Sequence, residues 1–252
     1  MSPEMNRRRA LATLGTVSLS TVLAACGGGD DDDKSDATTT AMEPKATPPA
    51  DASLTELLDQ AGSCKLTTEL SEGPYYFDVD SIRSDIREDR KGTPLRLAIR
   101  VREDGSCEPL ENAVVDVWHC DAHGSYSGFE SASRGGPPGG GRTDEETYLR
   151  GAQATNADGI AQFRTVYPGW YPGRTTHIHV KVHLDRTTLL TTQLFFDEEI
   201  NEAVYEGEPY SAESGRDVFN ADDGIFDATL VATTRRDGDG YLSAINFDVR
   251  RS

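Results

Sequence analysis

The sequence predicts an all-β fold, an antiparallel β-sandwich with long loops and a short helix at its start. The first observation behind this is a series of short runs rich in β-branched and aromatic residues. They are Leu95 to Val101, Ala113 to Trp118, Ile160 to Val166, His177 to Leu184, Thr191 to Phe196 and Tyr241 to Val249. Their apolar residues recur with a period of two, the spacing of a strand. The second is the punctuation between them, in turn signals such as Glu103-Asp104-Gly105, Asn156-Ala157-Asp158-Gly159 and Asp237-Gly238-Asp239-Gly240. The third is a helical pattern near the start, Ser53 to Gly62, in which Leu54, Leu57 and Leu58 share one face and Gly62 is a stop.

At 252 residues, 36% hydrophobic and 8% aromatic, the chain can bury one good core, which we place in residues 52–252. Residues 1–26 read as an export signal. Arg7, Arg8 and Arg9 precede a weakly apolar stretch from Ala10 to Ala25 that is too short and too polar to span a bilayer. The paired arginines resemble a twin-arginine signal, and Leu23-Ala24-Ala25-Cys26 resembles a bacterial lipobox with Cys26 as the lipidated N-terminus. The expectation is an exported protein, lipid-anchored to the periplasmic or extracellular face of the cell envelope and touching membrane only through Cys26. Residues 27–51 are Gly, Asp, Thr, Ala and Pro with almost no large apolar side chain, a flexible tether.

The net charge of −18 argues against nucleic acid or an anionic surface as partner. Beyond Cys26 the cysteines are Cys64, Cys107 and Cys120, in a compartment where disulfides persist. An odd number leaves room for one bridge, and Cys64 with Cys107 is the favoured pair, since both lie outside the strongest strand patterns. Arg134 to Arg142 (RGGPPGGGR) lacks the Gly-Lys-Ser/Thr ending that cradles phosphate and reads as a surface loop. Asp237-Gly238-Asp239-Gly240 resembles part of a calcium loop, but Tyr241 and the lack of a suitably placed later Glu make it a hairpin turn.

The chemistry concentrates in Gly169-Trp170-Tyr171-Pro172-Gly173-Arg174-Thr175-Thr176-His177-Ile178-His179-Val180. On a strand, residues two apart point to one face about 6–7 Å from each other, so His177 and His179 can reach one metal. Imidazole alone does not choose among zinc, copper, nickel and iron. Tyr171 lies in an irregular segment just before the pair, and Tyr126 lies in the loop that follows the strand ending at Trp118. A phenol must ionise to bind, which only a strongly Lewis-acidic ion makes easy near neutral pH. Two phenolates beside two imidazoles therefore favour iron(III) over iron(II) or zinc. His119, His123 and His183 read as hydrogen-bonding core or edge residues.

In combination, Trp118-His119-Cys120-Asp121-Ala122-x-Gly124-x-Tyr126-Ser127 and, some forty residues on, Tyr167-Pro168-Gly169-Trp170-Tyr171-Pro172-Gly173-Arg174-x-x-His177-Ile178-His179 resemble the signature of intradiol ring-cleavage dioxygenases. The likeness runs from about Cys64 to Phe196, is nearest the exported single-chain branch, and implies an immunoglobulin- or transthyretin-like sandwich. Carried over by residue, it makes Tyr126, Tyr171, His177 and His179 the ligands of one Fe(III), with water or hydroxide in the fifth position. It makes Tyr171 the ligand that the substrate displaces, Arg174 a catalytic arginine beside the substrate ring, and Gln193 a glutamine near the metal-bound hydroxide. Gly73, Pro74, Tyr75 and Tyr76 match the segment that forms the substrate pocket. The implied partners are a small aromatic diol and O2, and the implied product is a cis,cis-muconate-type diacid. Which diol, and which oligomeric state, the resemblance leaves open. The rival readings are a β-sandwich binding lipoprotein without catalysis and a zinc or copper enzyme using only the His-x-His pair.

Overall fold

Strand β1 (Pro94–Glu103) shows why this sequence forms a sandwich. Its alternate residues Leu95, Leu97, Ile99 and Val101 are buried in one cluster with Val115, Val117, Ile178, Val180 and Val182. The intervening Arg96 and Arg100 turn to the opposite face, where they pair with Asp51 and Asp59. The fold is seen in a computed structural model that describes residues 51–62, 64–133 and 141–251. The signal-like segment 1–26, the tether except Asp51, and residues 134–140 of the Gly/Pro-rich run lie outside the described residues. Among the described residues no helix is long and apolar enough to cross a membrane.

Beyond β1 come β2 (Val114–Trp118), β3 (Arg150–Ala154), β4 (Ile160–Val166), β5 (His177–Leu184), β6 (Thr187–Phe195), β7 (Thr233–Asp237) and β8 (Gly240–Val249). They form two four-stranded sheets, ordered β4-β1-β8-β7 and β3-β2-β5-β6. The helices are α1 (Ala52–Gln60), α2 (Glu130–Ser133) and α3 (Glu198–Tyr205). The main core lies between the sheets. Helix α1 begins at Asp51, whose side chain accepts from Ser53 N at 2.9 Å. Nine residues are too few to hold a helix alone. Leu54, Leu57 and Leu58 secure it against Ala98, Ile160, Leu242 and Ala244, at about 1.5–3 kcal/mol for each leucine buried.

The sandwich differs from expectation in its pairing. β1 and β8 run parallel, in register from Leu95↔Tyr241 to Glu103↔Val249. A parallel pair cannot close through a hairpin, and here the whole second sheet is threaded between the two strands. Two strands also escape the sequence pattern. β3 (Arg-Gly-Ala-Gln-Ala) has no β-branched residue and exists because β2 offers it an edge. β7 carries only threonines, arginines and an aspartate, and pairs with β8 in a hairpin that closes at Asp237↔Gly240, as the turn signal implies.

Cys64 is bonded to Cys107 across 43 residues, tying the segment after α1 to the turn that follows β1. Cys120 is free and buried. Closing a loop of that length restricts the unfolded chain by about 4 kcal/mol in the chain-entropy view. A Cys64→Ser/Cys107→Ser variant should therefore lose about 2–4 kcal/mol in denaturant unfolding and become insensitive to reductant; a transition midpoint equal to that of the oxidised parent would contradict this.

Candidate metal centre and active site

The register of the second sheet aligns Arg150, Trp118, His179 and Gln193 in one row across β3, β2, β5 and β6. Residues directly opposite share a face, and this one points away from the core, because Ile178, Val180 and Val182 between the histidines' positions face inward. Three loops cover the row: residues 71–77, 121–129 and 167–175. The loop carrying Tyr126 packs on the one carrying Tyr171. Gly124 adopts φ +79° there, and a Cβ at that position would collide with Trp170 O and crowd Tyr171 Cβ at 3.1 Å.

The structure brings both phenols and both imidazoles together. Around His177 Nε2 lie Tyr171 Oη at 3.1 Å, His179 Nε2 at 3.1 Å and Tyr126 Oη at 3.4 Å. His177 Nδ1 donates to Thr175 O at 2.6 Å, which leaves the Nε2 lone pair aimed at the cluster. His179 is held by stacking on Trp118, with ring centroids 4.8 Å apart and planes 7° from parallel. Gly73 sits against it at φ +72°, and a Cβ there would lie 3.0 Å from His179 Cε1. Tyr126 is fully buried, whereas Tyr171 is only partly so.

Burial governs the charge state of these groups. It pushes His177 down to about 3, helped by the Arg174 charge, and His179 well below the usual imidazole range, helped by His177. Burial also raises both phenols, Tyr126 further through Tyr171. Four neutral donors thus share one site and satisfy one another poorly; His179 Nδ1 has no hydrogen-bond partner. Neighbouring ligands on an ion bonded at about 2.1 Å are about 3 Å apart, the spacing seen around His177 Nε2. A cation at that point would invert the electrostatics by favouring phenolates. Among the described residues no three of His, Cys, Asp and Glu gather as a metal cluster.

Arg174 reaches the cluster's edge, with Nη1 3.5 Å from His177 Nε2. Its Nη2 donates to Gln193 Oε1 at 2.6 Å, and Gln193 Nε2 donates to Ser71 O at 2.9 Å. Its Nε donates to Asp223 Oδ2 at 2.8 Å. Gln193, expected near a metal-bound hydroxide, braces the arginine. No local sequence signal marks Asp223, which stands 49 residues beyond its partner in a stretch with no periodic pattern.

The Gly73-Pro74-Tyr75-Tyr76 segment lies over the same face. The Tyr75 ring is 4.8 Å from that of Tyr126 and 6.5 Å from that of Tyr171. Tyr76 packs on Trp118 and donates to Asp116 Oδ2 at 3.1 Å. Beneath Tyr126, Arg150 is buried and donates to Ser127 Oγ and O, both at 2.8 Å. The remaining histidines take ordinary partners. His119 meets Cys120 O and Thr165 Oγ1, His123 meets Glu213, and His183 meets Thr188.

The chain is similar to known dioxygenases. Residues 71–207 match a family model described as Dioxygenase. An intradiol ring-cleavage dioxygenase from Tetranychus urticae is 33% identical, with TM-score 0.69, over 74% of this chain and 95% of that one. The dioxygenase domain of a dioxygenase carbohydrate-binding protein fusion from Streptomyces sp. SirexAA-E is 32% identical, with TM-score 0.55, over 75% of this chain and 100% of that one. Among curated relatives, catechol 1,2-dioxygenase 1 of Acinetobacter lwoffii is 32% identical over 50% of this chain, and chlorocatechol 1,2-dioxygenase of Rhodococcus opacus is 26% identical over 59%. The chain spans 45% and 60% of the lengths of those two relatives, respectively. With the sandwich, the family match and the converging donors in place, the chain belongs to the intradiol ring-cleavage dioxygenase family.

Proposed function

We propose that this protein is an Fe(III)-dependent dioxygenase that opens a catechol-type ring between its two hydroxyls with O2, giving a cis,cis-muconate-type dicarboxylate. The observation that carries this reading is the convergence of Tyr126 Oη, Tyr171 Oη and His179 Nε2 within 3.4 Å of His177 Nε2. Two anionic oxygens with two imidazoles are a donor set suited to a hard trivalent ion. Bound ferric iron would supply the Lewis acidity that ionises the phenols and activates a chelated catecholate toward dioxygen.

The protein's own part is positioning and proton handling. Tyr126 is the fixed donor, enclosed beneath Tyr75 and anchored beside the Arg150–Ser127 contacts. Tyr171 is the one free to leave: it is partly exposed, and its loop is held at Gly173 N by an exposed contact to Asp217. On release its phenolate oxygen takes the proton from the second substrate hydroxyl, so the site carries its own base. Arg174, fixed between Gln193 and Asp223, holds positive charge where negative charge would develop on the substrate ring. Tyr75 gives the pocket an aromatic wall, complementary to a flat aromatic diol.

The same reading extends to location. The Arg7–Arg9 run and the Leu23-Ala24-Ala25-Cys26 sequence support export by a twin-arginine route and a lipid anchor at Cys26. Palmitate labelling of the expressed protein should be lost in Cys26→Ser; equal labelling of the two would remove the anchor from the account.

Protein loaded with ferric iron should be burgundy from phenolate-to-iron charge transfer and should consume O2 with at least one member of a panel of catechol, hydroxyquinol, protocatechuate and larger diols. Tyr171→Phe should shift the colour and cut turnover by about 10²-fold or more. A colourless protein that binds only zinc, or a Tyr171→Phe spectrum identical to the parent's, would sink the assignment. Gly73→Ala is a second probe, because it drives a Cβ into His179 at a positive φ. It should weaken iron retention against a chelator by about tenfold or more, while iron content equal to the parent's would show that His179 is not a ligand.

A further inference from the structure

Gly173, Arg174 and Thr175, the residues that lead into β5, are gripped from a distant stretch of chain, residues 216–223. Asp217 accepts from Gly173 N at 3.2 Å. Asn220 Oδ1 accepts from Thr175 Oγ1 at 2.7 Å, and Arg216 Nη2 donates to the same hydroxyl at 3.2 Å. Asp223 has the central place, since its Oδ2 accepts from both Arg174 Nε at 2.8 Å and Thr175 N at 2.9 Å. The stretch is itself anchored, through Asn220 Nδ2 to Phe196 O at 2.8 Å and Ile225 N to Asp223 Oδ1 at 3.0 Å. It lies beyond residues 71–207, the part matched to the family model.

We infer that Asp223 is a positioning residue for the reaction, its carboxylate setting the plane of the Arg174 guanidinium against the donor cluster; the inference rests on the role proposed above for Arg174. An arginine has rotamer freedom that a neutral glutamine on one side does not remove. The charged bond to Nε, opposed by the Gln193 bond to Nη2, fixes the fork from two directions and leaves Nη1 facing His177. The Asp223 side chain is 2% exposed, so this ion pair is shielded from solvent screening in a way that a surface pair is not. Thr175 keeps its contacts to Asn220 and Arg216 when Asp223 is removed, so the seat of His177 should survive.

The test compares Asp223→Ala with the parent by two readouts. In metal-free protein, proton–nitrogen spectra of arginine side chains should show a slowly exchanging Arg174 Nε–H signal, assigned by its loss in Arg174→Lys. It should exchange freely in Asp223→Ala. In iron-loaded protein the charge-transfer colour should persist while kcat falls by about 10–100-fold and KM stays within about 3-fold. Adding Asp223→Ala to Arg174→Lys should cause no further loss. A protected Arg174 signal in Asp223→Ala, or an additive loss in the double variant, would overturn the inference. Asp223→Asn, which keeps the shape and one acceptor, replaces the alanine variant if that one does not fold and should show the same changes in smaller degree. Should the parent turn over no diol, the proposed function fails, and the arginine signal alone still decides for or against the positioning role.

Discussion

Four polar side chains, three of them fully buried, meet on one face of a sheet without enough hydrogen-bond partners among themselves. Tyr126, Tyr171, His177 and His179 cannot all be satisfied by one another, because three groups converge on the single Nε2 lone pair of His177 and His179 Nδ1 has no hydrogen-bond partner. Such an arrangement costs stability in the bare protein. Under the proposed function this cost is offset when a cation occupies the cluster, and the surrounding structure holds the four donors in place for it. The apolar half of β5 fixes the histidines from below, Trp118 clamps His179 from the side, and the packing at Gly73 and Gly124 sets how closely the loops approach.

The same constraint divides labour between the tyrosines. Tyr126 lies under an aromatic cover with a buried guanidinium beneath it, whereas Tyr171 is itself partly exposed, and the backbone two residues on, at Gly173 N, makes an exposed contact to Asp217. In the proposed reaction Tyr126 is the ligand that stays and Tyr171 the one exchanged for a substrate oxygen. Arg174 shows the complementary principle, since a long, flexible cation is useful at a reacting centre only when opposing bonds hold it still.

Much of this was legible in the sequence, for local reasons. Period-two alternation in His177–Leu184 announced both a strand and a histidine pair on one of its faces, and the order and spacing of the tyrosine motifs announced the family. What stayed hidden depends on partners remote in sequence. β3 has no strand-like composition and is a strand only because β2 needs a neighbour. The parallel β1–β8 pair joins the first and last strands of the sandwich. The helix Glu198–Tyr205 has only a short, acidic sequence to announce it, although its Asn201 accepts the Tyr167 hydroxyl at 2.8 Å. Asp223 reaches its arginine across 49 residues, a relationship that no window of sequence contains.

The account stands on one point in space that all four donors share. Diffraction data collected at the iron absorption edge, from crystals of protein supplied with ferric iron, locate that point directly. The predicted result is a single anomalous peak about 2.0–2.2 Å from His177 Nε2, His179 Nε2, Tyr126 Oη and Tyr171 Oη. A peak elsewhere on the protein, or one bound by the imidazoles with both phenol oxygens turned away, would contradict it.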